Sequence, residues 1–323
     1  MKIKTTNALM KYLRDKHNIS IGKYGDKKKL RNIGYYHGYK GYRYITNPHN
    51  RITFTTFDEI VSIVNFDSKL KSLLYPQLMQ IETISKNIVL QLLVETYNTD
   101  EFNEIYEKGM TDYQSSNTKD YKNKLKHRLN VQNSIYSALS NSYSRDNKIV
   151  SHFYSKDRHI PIWGIFEIIM LGTFADIIKS LELSTRLKID KEMKINISYD
   201  TTGRFPERII YLLKALRNSV AHNSVVFDVR FKDSKIDSNL CKYLEKEIGC
   251  PNINFNTITD YIILIAFLLK NYGISKKELK RFINDFEIII EDFRKNVPIN
   301  IYNQIIYTDT KNKLTKTIQY IKK

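Results

Sequence analysis

The run Arg217-Asn218-Ser219-Val220-Ala221-His222 sets a guanidinium five positions before an imidazole. Histidine changes charge near neutral pH, so it can take the proton from a ribose 2′-hydroxyl or hand one to a leaving 5′-oxygen. A guanidinium holds a phosphate in a fork and stabilises the charge that builds in the transition state. Together the two suit metal-free cleavage of RNA. None of the other six histidines has an arginine five positions before it. Asn218, four residues before His222, shares its helical face and could orient the imidazole or the phosphate. The hexapeptide also has a purely structural reading. A histidine in the last turn of a helix interacts favourably with exposed carbonyls and with the negative dipole end, and Asn223 suits the position after it.

On an ideal helix, five residues turn about 140° and rise about 7.5 Å. Arg217 is then expected to flank the apolar stripe of Ile209, Leu212, Leu213, Leu216 and Val220, with His222 pointing away from it. One helix need not bring the pair together. Two copies around a symmetry axis would line a cleft with two arginines and two histidines, which predicts a homodimer. No carboxylate pair or histidine cluster at metal-ligand spacing competes for the role, so no metal or other cofactor is expected.

The elements that must position these residues belong to a chain of 323 residues, long enough for one large domain or two ordinary ones. Hydrophobic residues make up 42% and charged residues 27%, which excludes intrinsic disorder as the default state. Lys plus Arg number 52 against 34 Asp plus Glu, a net charge of +18 that favours polyanionic partners by counterion release. Two cysteines, Cys241 and Cys250, exclude a disulfide scaffold and a cysteine-based zinc site. The N-terminal residues lack the apolar core of a signal peptide. Of the most apolar stretches, 160–181 is interrupted by Glu167 and Asp176, and 261–269 falls short of the roughly 20 residues that cross a bilayer. The expectation is a soluble cytoplasmic protein without membrane contact.

Helical periodicity dominates. Leu70, Leu73, Leu74, Leu78, Ile81, Ile84, Ile88 and Leu92 predict one long amphipathic helix over 68–96. The polar stretch 111–126 reads as an exposed connection, 163–181 as a second apolar helix, and 206–221 as a third that opens on Pro206. Residues 225–231 are β-prone but lack a partner strand. Helices resume over 257–272, 276–294 and 311–321. The first sixty residues read as short helices around a Gly/Tyr-rich turn. The chain is therefore expected to be mainly α, in three segments: 1–60, 61–225 and 226–323.

Two further segments accompany the hexapeptide. One is Ile33-Gly34-Tyr35-Tyr36-His37-Gly38-Tyr39-Lys40-Gly41-Tyr42-Arg43. The other is His152-Phe153-Tyr154, followed by Pro161-Ile162-Trp163-Gly164-Ile165-Phe166-Glu167 and Leu171-Gly172-Thr173-Phe174. Arg217–His222 resembles the Arg-x-x-x-x-His signature of HEPN-domain ribonucleases. The two blocks resemble the N-terminal and central blocks of the AbiD/AbiF abortive-infection proteins, in the same order. The match spans roughly residues 30–223; nothing after about residue 225 is matched, and the family often has an apolar residue where Phe166 stands. The resemblance implies a HEPN-type helical bundle, to which the sequence pattern adds a small N-terminal helical region and additional C-terminal helices. It also implies anti-phage defence by a metal-independent endoribonuclease toxin, with Arg217, His222 and Asn218 as its catalytic residues. Association with a small noncoding RNA, as antitoxin or guide-like partner, is implied as well.

Other residues are candidates with alternatives. In the Tyr/Gly block, bases could stack on Tyr36 and Tyr42 while Lys40 and Arg43 meet phosphates; the alternative is a tight, Tyr-packed turn. Glu82, within the long helix, could pair with Arg217 or position the histidine, or be a solvated helix position. His152 reads as a core or capping residue and Trp163 as a core anchor. Lys276, Lys277, Lys280 and Arg281 form one basic helix face, either simply solvated or tracking RNA. The main functional alternative is a noncatalytic RNA-binding protein that uses a basic groove. A third is a helical interaction module kept soluble by its charge.

Overall fold

The structure, a computed structural model, describes residues 5–115, 118–232 and 236–323. The N-terminal residues 1–4, and residues 116 and 117 of the expected polar connection, lie outside the described residues. Of the described residues, 71% are helical. Its helices are α1 (Thr6–His17), α2 (Asp26–Ile33), α3 (Phe57–Tyr97), α4 (Phe102–Gly109), α5 (Thr118–Tyr143), α6 (Lys148–Tyr154), α7 (Ile162–Ile168), α8 (Leu171–Ser180), α9 (Leu183–Glu192), α10 (Phe205–Ala221), α11 (Ser238–Ile248), α12 (Ile258–Asn271), α13 (Lys276–Asn296), α14 (Ile299–Ile305) and α15 (Thr310–Lys322). A π-helical stretch, Gly34–Lys40, follows α2, and a 3₁₀ turn, Asp112–Ser115, precedes α5. Among the described residues there are isolated bridges but no strand. None of the described helices is long and apolar enough to cross a membrane.

The chain forms two compact units. The first comprises Met1–Leu78 and Ala215–Lys323, the second Met79–Lys214. This partition differs from the three segments expected: both terminal segments fall in the first unit, and the middle segment is shared between the two.

In the first unit, α12 has no polar face. Every residue from Ile258 to Leu269 is buried; α13 and α15 pack against it, and Tyr243 of α11 meets Phe267 edge-on at 6.0 Å. Lys313 and Asp260 form a buried ion pair at 2.8 Å, and Asp260 also accepts the N–H groups of Asn254 and Phe255. α13 opens with a capping box, Ser275 to Glu278, and buries Leu279, Phe282, Ile283, Phe286, Ile290 and Phe293. Phe293 stacks on Phe66 of α3 at 4.4 Å. The long helix begins at Phe57, eleven residues before the expected start. Its capping signal is Thr56-x-x-Glu59: Glu59 accepts the N–H groups of Thr55 and Thr56, and Thr56 Oγ1 accepts the N–H of Glu59.

In the second unit, residues 118–143 are a 26-residue helix, which takes in residues 118–126 of the expected connection. Its apolar signal is sparse, with Val131, Ile135 and Leu139 buried, and it packs with α6, α7 and α8. The single helix expected over 163–181 is two. Ile169 and Met170 are extended, and Lys86 Nζ donates to the freed Ile169 carbonyl at 3.0 Å. The loop before α10 turns at Gly203 (φ +62°), where a Cβ would meet Arg186 Cβ at 2.6 Å.

Candidate active site

The stripe expected on α10 is formed, since Ile209, Leu212, Leu213, Leu216 and Val220 are all buried. Arg217 and Asn218 are half-buried beside it. His222 is exposed and lies immediately past the last helical residue, its N–H donating to Asn218 O at 2.9 Å. Asn223 follows in the left-handed conformation (φ 53°). Its N–H donates to Val220 O at 3.2 Å, and that of Ser224 to Ser219 O at 2.8 Å. This pair of bonds is a Schellman motif, with His222 as the C-cap and Asn223 at the next position. Helix termination therefore fixes the backbone of His222 and leaves its imidazole in solvent.

A polar network grips the residue after it. Asn223 Oδ1 accepts from Lys71 Nζ at 2.8 Å, and Asn223 Nδ2 lies 3.4 Å from His37 Nε2. Lys71 pairs with Asp67 at 2.8 Å, one turn earlier on α3. Asp67 is fully buried. Its Oδ1 accepts the N–H groups of Val226 and Phe227 at 2.9 and 2.8 Å, and its Oδ2 accepts the Tyr42 hydroxyl at 2.7 Å. Burial, reinforced by the Asp67 charge, pushes the Tyr42 hydroxyl well above the usual tyrosine range, so it stays a donor.

These bonds explain why 225–231 is not a strand. Backbone donors that a partner strand would need are spent on Asp67, and Val229 is left-handed (φ 51°). Asp228 accepts the Thr46 N–H at 2.6 Å and pairs with Arg230 at 2.7 Å. Arg230 in turn donates to the carbonyls of Gly41 and Tyr44, each at 2.7 Å. The Tyr/Gly block is thus bolted to the segment that leaves α10.

Within that block, the expected Gly/Tyr-rich turn is π-helical, entered at Gly34 (φ +74°). Tyr36 is 66% exposed and His37 is exposed, while Lys40 is half-buried with its ammonium 5.1 Å from the Tyr36 ring centre. Arg43 is half-buried. Tyr42 corrects its expected role. It is 1% exposed and stacked on Phe227, so its ring offers no face to a base. Burial and the Asp67 bond make it part of the core.

Glu82 is half-buried in the second unit and pairs with Lys86 at 3.1 Å. Lys276, Lys277 and Arg281 are exposed on the first turns of α13, with Lys280 half-buried among them. His152 is exposed beside Lys156 rather than in a core, and Trp163, 44% exposed against Phe153, is no core anchor. Burial pushes both cysteine thiols up to about 11, which leaves them poor nucleophiles. Asp67 and Lys71 were not anticipated as site residues. Their signal was present: a carboxylate and an ammonium four residues apart on the face that carries Leu70 and Leu74.

The helix end therefore presents an exposed imidazole and a fixed ammonium behind Asn223, with Arg217 half-buried five residues earlier on α10. Such groups can bind a phosphate and move a proton. No curated protein and no solved structure matches the chain. A family model described as Abi-like protein matches residues 28–228, which contain the Tyr/Gly block, the central block and the whole of α10 with its cap. On that match, covering more than half of its length, the chain belongs to the Abi-like protein family.

Proposed function

We propose that this protein serves abortive-infection defence as a HEPN-type, metal-independent endoribonuclease. Membership of the Abi-like family supports the defence role. The observation that carries the nuclease reading is His222 itself: a C-cap residue whose backbone is fixed by a Schellman motif and whose ring is exposed, next to Asn223 and its ties to Lys71 and His37. In the proposed reaction, an imidazole takes the proton of a ribose 2′-hydroxyl. The 2′-oxygen attacks phosphorus, and the bond to the 5′-oxygen breaks as that oxygen gains a proton. The products are a 2′,3′-cyclic phosphate and a 5′-hydroxyl. Arg217 holds the phosphoryl oxygens and Asn218 orients the reacting groups. Substituting the ribose at a mapped cleavage site with 2′-deoxyribose should abolish cleavage there; cleavage that persists at that bond excludes this chemistry.

The active form is proposed to be a two-fold dimer, because each protomer supplies one Arg217/His222 pair and a C₂ axis joins identical patches. Light scattering with and without RNA tests this; a strict monomer that still cleaves RNA contradicts it.

A further inference from the structure

A cationic pocket in the second unit takes no part in the proposed cleavage. It measures about 210 Å³ and opens beside α5, the 3₁₀ turn and the end of α8. Lys124, Arg128, Lys179 and Arg204 line it against a single carboxylate, Asp112. That carboxylate is already saturated. Arg186 donates to Oδ1 at 2.7 Å, and Arg204 and Lys124 reach Oδ2 at 2.9 and 3.0 Å. Burial opposes its ionisation, but the bonds from Arg186 and Lys124 and the neighbouring charges hold its carboxyl below the usual range, so it cannot neutralise more.

Neither Arg128 nor Lys179 forms an ion pair with a carboxylate among the described residues. The Arg128 guanidinium carbon sits over the Tyr106 ring, 3.9 Å from its centre, and the side chain gives one N–H to the Tyr106 carbonyl, while its Nε is shielded from solvent without a hydrogen-bond partner. Lys179 is half-buried at the end of α8, where its charge favours the ionised forms of Asp176 and Glu207 without a direct ion pair to either. Concentrating unpaired cations in a concave site is unfavourable unless an anion spends time there. The size is informative too: about 210 Å³ lies below the roughly 300–1,000 Å³ of pockets that enclose a drug-sized ligand, and suits a charged group with part of a sugar. Tyr113, edge-packed on Tyr121 at 5.3 Å, lines the pocket and supplies an aromatic wall for that sugar or base.

We propose that this pocket binds the phosphate monoester of a nucleotide, either a free mononucleotide or the 5′-phosphate end of an RNA. A monoester carries more charge than the internal diesters of a strand, which is what clustered cations in a concave pocket would select. The site shares no residue with Arg217, Asn218 or His222, so it stands or falls separately from the nuclease reading.

The test uses the full chain with three probes: AMP, inorganic phosphate, and a 2′-O-methyl RNA oligomer carrying either a 5′-phosphate or a 5′-hydroxyl. AMP should bind measurably. If RNA ends are the source, the 5′-phosphorylated oligomer should bind at least about tenfold tighter than its 5′-hydroxyl twin, the scale of one charge-assisted hydrogen bond, and AMP should erase the difference. If free nucleotides are the source, AMP should bind while the two oligomers bind alike. In either case Lys179→Glu and Lys179→Met should lose the effect, with the helical circular dichroism unchanged, and Arg217→Ala should retain it. Failure of AMP to bind, together with equal affinity for the two oligomers, overturns the proposal, as does full retention in Lys179→Glu. Binding of inorganic phosphate as tightly as AMP would overturn the nucleotide assignment.

Discussion

Lys71 Nζ lies 2.8 Å from Asn223 Oδ1, across 152 residues of chain, and so ties the long helix α3 to the residue that follows His222. The bond belongs to a relay from buried Asp67 through Lys71 to exposed Asn223. Its consequence is separable from helix termination, because Asn223 does two jobs: its backbone adopts the left-handed cap and its side chain receives Lys71.

Asn223→Gly separates these jobs. Glycine favours the left-handed C′ position, so stability should change by no more than about 0.5 kcal/mol. The tether to Lys71 and His37 is lost, and RNA cleavage should fall with little change in the melting temperature. Lys71→Ala should do worse, because it strands buried Asp67 without its cation; the expected cost is about 3–5 kcal/mol by denaturant titration. Unchanged cleavage by Asn223→Gly would mean that the relay serves folding alone.

Tyr36 and Tyr42 should part company. Tyr42→Phe removes a buried donor to Asp67 and should cost about 1–2 kcal/mol of stability while leaving RNA affinity intact. Tyr36→Ala should leave stability within about 0.5 kcal/mol, as for ordinary surface positions. It should weaken single-stranded RNA binding by about 1–3 kcal/mol if a base stacks there. Fluorescence anisotropy and thermal melts read the two effects separately.

These contrasts show what was legible in the sequence. The stripe of α10, the exposure of His222 and the capping role of Asn223 all follow from helical spacing. Long-range burial does not: Tyr36 and Tyr42 sit in the same aromatic block, and only the bond to Asp67 decides which is core. Helix α5 was hidden because its apolar face carries few residues, and the break at Ile169 because Lys86 satisfies a carbonyl from far along the chain. The start of α3 and the extent of α11, with Asp237 at its N-cap and Gly249 beyond its end, carried readable signals in Thr56-x-x-Glu59 and Asp237/Gly249.

The basic face of α13 should matter through salt. With a charge of +18, purified protein should carry RNA, and one discrete small RNA is the expected species. Reversing Lys276, Lys277 and Arg281 to Glu should flatten the slope of log affinity against log salt, by about one unit for each phosphate that is no longer neutralised. Recovery of only random ribosomal and transfer-RNA fragments, released by mild salt, would contradict specific association.

Stability should decline from acid to neutral pH at one buried site. Asp190 is fully buried beside Asp200; burial first, and then the Asp200 charge, push its carboxyl up to about 8. The folded state therefore holds a proton that the unfolded chain releases near pH 4. The contribution is complete below about pH 4, is lost as pH rises, and levels off above about 8. Asp190→Asn removes this titration. It should melt higher than the parent at pH 8.5, by about 1–3 kcal/mol in stability, and show a shallower pH dependence. Parallel pH profiles for the two proteins would contradict the assignment.

The central claim rests on His222. The decisive measurement is cleavage of a labelled RNA by purified parent and His222→Ala protein, matched for fold by circular dichroism and for RNA affinity by anisotropy. The account predicts that the parent cleaves to 2′,3′-cyclic phosphate ends and that His222→Ala binds but does not cleave, with EDTA changing neither result. Cleavage by His222→Ala at the parent's rate would contradict it.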